Sequence, residues 1–585
     1  MKKCQSYIII FITTLVLLFS FYQTNKLVSS HFTHVDDIGV ADTLINRKLC
    51  DTLDEKREKY SVMPGLKILY EKIAAKPGIC ELLNGVYSYV AVPAHWTYAP
   101  VQFFFTKISL STLDTSTYEA TKSAGRLPSF ISYILGVLAF VYLLAARKYL
   151  DYNNTALIAA LVLILGMSLE LRIYASQMES YAIGLLSGVL IFGATLSLYK
   201  NESYTLKAIF PLSVVMGIGI GMQYQGIFLA FACVSALLIV DFRCLGIKKA
   251  AKRCISLISM NILLGFYYLP FLIKNFGRGT YSWNNGPSKQ YIVTGHSYFE
   301  RFIDLLRLFF NHTFYNVYTI ATSIQTESVF TLALGALLSL LFALGLVALY
   351  ITRQNTENLF IFLVLFIYIF TVAALVFSGA LSFSPTRHSL YHLFPLLLGT
   401  AFGLKWIASK FSSTWFETVM FSTSLVIALI SLVAFKGFSM QRSDPLSQEV
   451  ISKYFPLSDT DLVIGENPEL VFFDTIKDKF IYFYEHAPCD KFKRAVTGKG
   501  VLQLGMYTKK NSSQLTNEIY ASEYFTGFAK RCGFANYHMR VADIQRVFSF
   551  ESPQQIDISN KTQNGANTIY LYSAKLYIHN LLKSN

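Results

Sequence analysis

Long apolar runs recur along the chain as far as residue 435, and the polar breaks between them predict the elements. The first run is Tyr7–Phe21. Others occupy about Leu127–Leu144, Thr155–Leu171, Tyr181–Leu198, Ala208–Met222, Gly226–Val240, Ile255–Ile273, Val329–Ile351, Leu359–Phe377, Leu390–Leu404 and Phe416–Phe435. Each approaches the roughly 20 residues that cross a bilayer as a helix. No charge occurs from Ala208 to Val240, a stretch too long for one span, and the polar Gln223-Tyr224-Gln225 divides it. The pattern predicts eleven membrane helices. After about Lys436 charges and turn residues return. The runs Asp461–Ile464, Phe480–Tyr484, Val501–Met506 and Thr568–Tyr572 suit strands between helical stretches. That is the pattern of a small α/β domain with a core of its own.

Charge between the runs sets their direction. Met1-Lys2-Lys3 and the apolar run behind it fit either a signal peptide or a retained first helix. The bulky Leu18-Phe19-Ser20-Phe21-Tyr22 offers no small-residue cleavage site, which favours the helix. If that end is cytoplasmic, the inside loops hold Arg147-Lys148, Lys200 to Lys207, Arg243 to Arg253, Arg353, and Lys405 to Lys410. This is the positive-inside pattern, strongest at Arg243, Lys248, Lys249, Lys252 and Arg253. The expected organisation is a first transmembrane helix (1–22), a first outer loop (23–126), a multi-span body (127–435) and an extracytoplasmic α/β domain (436–585). In a bacterium, these would be the inner membrane and a periplasmic tail.

Composition narrows the class. Hydrophobic residues make up 53% and charged residues 15%, and the mean hydropathy is +0.42. That excludes a disordered chain, a coiled coil and an ordinary soluble enzyme. The net charge of +15 follows from topology and does not point to nucleic acid. The cysteines sort by side. Cys50 and Cys80 share the first outer loop, and Cys489 and Cys532 share the tail. An even pair on an oxidising side suggests two disulfides, Cys50–Cys80 and Cys489–Cys532, with free thiols as the alternative.

The candidate chemistry begins just beyond the first span, at His31-Phe32-Thr33-His34-Val35-Asp36-Asp37. Adjacent carboxylates repel, so one of them holds its proton more tightly than usual and suits proton abstraction from a hydroxyl. A solvated helix start is the plain alternative, because Asp favours first turns. His34 and Asp36 could also be two metal ligands, a less favoured reading. Further along stand Thr97-Tyr98-Ala99-Pro100-Val101 and Gly125-Arg126-Leu127-Pro128-Ser129. Beyond them come Arg172-Ile173-Tyr174 with Glu179-Ser180-Tyr181, and Pro385-Thr386-Arg387-His388.

In their order and sidedness these five stretches resemble the GT-C glycosyltransferases. The similar branch holds protein O-mannosyltransferases and bacterial lipid A aminoarabinose transferases. The resemblance covers about Tyr7 to Phe435, and the tail less closely. Departures occur at Tyr98, where the family often has His, at Ala99 for a Pro, and at His388 for a Tyr. The first loop is also long around Cys50–Cys80. The resemblance implies a polytopic α-helical fold and transfer of a sugar from a polyprenyl-phosphate donor, with inversion, to a lipid, glycan or protein acceptor. It implies no resident cofactor. Asp36 would be the base and Asp37 its orienting or sugar-binding neighbour. Arg387 and Arg126 would meet the phosphate, because the guanidinium fork donates in pairs. Glu179, Tyr98 and His388 would complete substrate binding. Arginines at span ends also anchor to lipid headgroups, and Glu179 could simply pair with Arg172. Two rivals from other classes are a transporter or flippase, which would carry ionisable groups deep within its spans, and a scaffold whose tail binds a partner.

Overall fold

The computed structural model describes residues 2–28, 100–114, 118–146, 149, 155–166, 169–178, 182–200, 206–223, 225–258, 293, 297–308, 329–378, 387–410, 413–441, 460–465, 480–482, 489–508, 537–552 and 567–580. The chain falls into two compact units. One comprises residues 1–28, 43–112 and 125–439, and the other 29–42, 113–124 and 440–585.

The described helices are α1 (Lys2–Val28), α2 (Pro100–Thr112), α3 (Tyr118–Ala146), α4 (Thr155–Gly166), α5 (Leu169–Ala175), α6 (Gly184–Lys200) and α7 (Leu206–Met222). They continue as α8 (Gly226–Leu245), α9 (Tyr298–Leu308), α10 (Val329–Ile351) and α11 (Thr356–Phe377). A 3-10 turn (Arg387–His392) then leads into α12 (Leu393–Lys410), and α13 (Ser413–Gln441) follows. Among the described residues, six stretches are long and apolar enough to cross a membrane: Gln5–Lys26, Ala120–Ala146, Gly226–Leu245, Thr356–Phe377, Leu390–Lys410 and Trp415–Val433. Shorter apolar helices cover Thr155–Gly166, Gly184–Lys200, Lys207–Met222 and Ala336–Ile351. The protein is a polytopic helical membrane protein. The expected span Ile255–Ile273 lies mostly outside the described residues.

α1 shows the membrane logic of the fold. Its buried positions include the small polar Thr13, Ser20 and Thr24, while Tyr7, Phe11 and Leu18 are exposed. Lipid, not water, surrounds such a helix, so apolar side chains lose nothing by facing outward and hydroxyls must bond inward. Thr13 and Thr24 donate to the carbonyls of Ile9 and Ser20 within the helix. Ser20 donates to Gly166 O at the end of α4 (3.0 Å), and Tyr133 of α3 donates to the same carbonyl (2.5 Å).

α6 is the hub, packing against α7, α8, α12 and the 3-10 turn. Glycine allows the close approaches. A Cβ on Gly219 would lie 2.8 Å from Ile191 Cγ1 and 3.1 Å from Ser187 O, and Ser187 donates to Gly219 O at 2.6 Å. α10 and α12 meet still more tightly: a Cβ on Gly403 would run into Leu341 O, and one on Gly345 into Gly399 O.

The second unit contains a five-stranded sheet built from β1 (Leu462–Gly465), β2 (Phe480–Tyr482), β3 (Val501–Thr508), β4 (Tyr537–Ser552) and β5 (Asn567–Asn580), in the order β2-β1-β3-β5-β4. β1 runs parallel to β2 and β3, and β5 runs antiparallel to β3 and β4. Alternate residues Leu502, Leu504 and Met506 of β3, and Tyr572, Ala574, Leu576 and Ile578 of β5, share one buried face. Phe492 and Val496 of the short helix α14 (Cys489–Val496) pack onto that core. The strand β4 was not among the runs singled out in the sequence. A break in its register between Ala542 and Gln545 holds Asp543 at φ 55°, a left-handed conformation that Asp tolerates better than most residues. Lys575 bonds Asp543 (3.2 Å), which raises the lysine pKa above its ordinary value.

Candidate functional site

Three of the sequence motifs meet at one end of the helical unit. Arg126 lies in the third turn of α3 and is fully buried. Its Nη1 donates to the carbonyl of Val28, the last residue of α1, at 3.2 Å. A helix C-terminus leaves carbonyls without intrahelical donors, and a guanidinium there satisfies one and offsets the dipole. Arg172 of α5 is buried too, and it grips the same end of α1. Its Nη2 donates to Gln23 Oε1 (2.7 Å) and its Nε to Thr24 Oγ1 (3.2 Å). Gln23 also reaches Leu432 O of α13 at 3.5 Å. The third motif enters through the 3-10 turn Arg387–His392, which carries Arg387 and His388 and packs against both α5 and α6. On α2, Gln102 donates to Ser129 Oγ at 2.8 Å, fixing that helix to α3 just past Arg126, and partial burial lowers the pKa of Lys107.

Two buried polar groups beside the 3-10 turn were not read as site residues in the sequence. Gln223 directly follows α7 and is 2% exposed, yet neither atom of its carboxamide has a hydrogen-bond partner among the described residues. The hydroxyl of Tyr391, 6% exposed, likewise has none. A Cβ on Gly184 would strike Gln223 Oε1 and come 3.4 Å from Tyr391 Cα, so the Gln223 carboxamide and the Tyr391 backbone flank the same glycine. His392 stacks on Tyr391 at 3.9 Å, and its Nδ1 is hydrogen-bonded to the Tyr368 hydroxyl at 2.9 Å. The signal was present in the sequence: Gln223 stands in the polar break used only to divide two spans.

The opposite ends of these helices are closed differently. Lys200 at the end of α6 pairs with Glu357 at the start of α11 (2.9 Å), and Tyr149 donates to the same carboxylate (2.9 Å). Near the end of α8, Arg253 donates from one Nη to both oxygens of Asp241 at 3.1 Å, with both side chains buried. Here the charged groups pair with opposite charges.

Of the expected site residues, Asp36, Asp37, Tyr98 and Glu179 lie outside the described residues, as do Cys50, Cys80 and Cys532. Arg387 and His388 are located by backbone in the 3-10 turn, and Cys489 opens α14. No disulfide occurs among the described residues, where Cys233, Cys244 and Cys254 are free thiols.

No protein-family profile matches this chain, and no curated protein matches it. Among solved structures, the chain is similar to ArnT from Cupriavidus metallidurans in the apo state, with 10% identity and a TM-score of 0.47 over 97% of this chain and 98% of that one. It is also similar to ArnT from the same organism bound to undecaprenyl phosphate, with 11% identity and a TM-score of 0.47 over 96% and 97% of the two chains.

Proposed function

We propose that this protein is an integral membrane glycosyltransferase that moves a sugar from a polyprenyl-phosphate donor to an acceptor on the extracytoplasmic face, with eleven spans and an outward tail. One observation carries the reading. Arg126, Arg172 and the turn bearing Arg387 are far apart in sequence, yet the first two clasp the end of α1, and the third packs on the helix of the second. Eight residues beyond that helix end, the sequence continues to Asp36 and Asp37. Three motifs picked out for one reaction, those of Arg126, Arg172 and Arg387, thus lie at one end of the helical unit, which supports the reading, while charges at the other end pair with one another.

The chemistry follows from what the transfer needs. The donor already carries a good leaving group, so the protein must deprotonate the acceptor and accommodate the released phosphate. Asp36 takes the proton from the acceptor hydroxyl. The acceptor oxygen bonds to the anomeric carbon as the bond from that carbon to the phosphate oxygen breaks, and polyprenyl phosphate leaves with the electron pair. Attack opposite the leaving group inverts the anomeric centre. Arg387 answers the negative charge that grows on the phosphate, and a positioned cation is worth more in a water-poor site than in bulk solvent. Asp37 orients the base, and Glu179, Tyr98 and His388 hold sugar or acceptor. Arg126 holds the α1 terminus from which the acidic segment departs.

The test is transfer of labelled sugar in membranes supplied with polyprenyl-phosphate sugars and cell-envelope acceptors. Asp36→Asn should lower the turnover by about 10²- to 10⁴-fold at matched protein levels, with donor binding retained. Equal transfer by wild type and Asp36→Asn would remove the base. Absence of transfer from every donor by wild type would remove the enzyme.

A further inference from the structure

We infer that Gln223 and Tyr391 form a neutral subsite that receives the hydroxyl-bearing ring of the lipid-linked donor, apart from the residues that meet its phosphate. This rests on the glycosyltransferase reading and adds the part of the substrate read at these residues. Buried amides and hydroxyls in native proteins nearly always have partners, because stripping them of water without replacement is unfavourable. Here three polar atoms, Gln223 Nε2, Gln223 Oε1 and the Tyr391 hydroxyl, lack described partners while nine-tenths buried or more. Gln223 directly follows α7 and Tyr391 lies in the 3-10 turn; both border Gly184, whose missing Cβ leaves room for the Gln223 carboxamide.

Their chemistry selects the ligand. A carboxamide offers two donors and an acceptor, and a phenol offers one of each, a set that matches neighbouring sugar hydroxyls. A phosphate would call for cations. The described rings around Tyr391 are Phe228 at 6.4 Å and His392 at 3.9 Å, and the Tyr368 hydroxyl is already engaged with His392, so the surroundings are apolar or satisfied. The unpartnered atoms are the ones left for a ring to pair.

The experiment is a melting-temperature series on the purified full-length protein in detergent. The additives are undecaprenyl phosphate alone and a panel of undecaprenyl-phosphate hexoses and pentoses, and the proteins are wild type, Gln223→Leu and Tyr391→Phe. Wild type should melt several degrees higher with at least one sugar-bearing lipid than with the sugar-free one. Both variants should lose that increment, keep the response to sugar-free lipid, and melt no lower than wild type without ligand, since each removes a group that has no partner there. Retention of the increment in both variants overturns the subsite. A clear drop in the ligand-free melting temperature also overturns it, because the groups would then be paired with trapped water. No excess response of wild type to any sugar-bearing lipid overturns it too. If the increment behaves as expected while wild type transfers no sugar in membranes, the transferase reading fails and the subsite stands.

Discussion

Arg172 shows how a residue read for one role acquires its structural meaning from partners the sequence did not suggest. Glu179, the plain alternative partner, lies outside the described residues, and among the described side chains Arg172 bonds Gln23 and Thr24 of α1. Those two residues lie past Phe21, where the apolar run stops, and hydropathy alone assigns them to a loop. The helix continues to Val28 because their polar groups are satisfied inside the protein, a fact of tertiary packing that no window average contains. Arg172→Leu removes both bonds and takes a donor from the half-buried Gln23 and the buried Thr24. It should cost roughly 2–4 kcal/mol of stability, read as a lower melting midpoint in detergent. An unchanged midpoint would mean that α1 is held by its apolar contacts alone. The acidic pair and Arg387 were legible as chemistry because charge is rare in this chain. Gln223 and Tyr391 were not, because a neutral polar residue at the end of an apolar run also reads as a simple boundary.

At the scale of elements, the runs Val329–Ile351 and Ala208–Met222 match helices within two residues, since a charge-free run ends where its polar flank begins. Short strands were legible from alternation at Val501–Met506, whereas β4 was missed. Its face is interrupted by the register break around Asp543, which shifts the period-two pattern midway. Helix contacts were legible only as glycine content. The structure separates glycines that close a contact from those that do not. Gly403 of α12 faces Leu341 O, whereas Gly193 of α6 has open space where a Cβ would stand. Gly403→Leu should therefore force α10 and α12 apart and cost about 1–3 kcal/mol or more. Gly193→Ala should be neutral or stabilising by up to about 1 kcal/mol. Thermal melting of the two variants checks the pair, and equal effects would contradict the close packing of α10 on α12.

For the helical unit as a whole, the two ends of the bundle differ in what they leave available. One end closes on itself through Lys200–Glu357 and Arg253–Asp241. The other gathers Arg126, Arg172, the Arg387–His392 turn, and the unpartnered groups of Gln223 and Tyr391. Positive loop charge predicts which end is inside and which outside, but only the folded chain shows which end pairs its charges and which holds neutral groups without described partners. The most direct measurement is photo-crosslinking of the purified protein with a polyprenyl-phosphate sugar carrying a diazirine near the phosphate, followed by peptide mapping. The account expects label within residues 387–392 or 172–178, competed by unlabelled undecaprenyl phosphate. Label confined to the opposite end, around 241–253 and 356–357, or label that excess undecaprenyl phosphate does not displace, would contradict it.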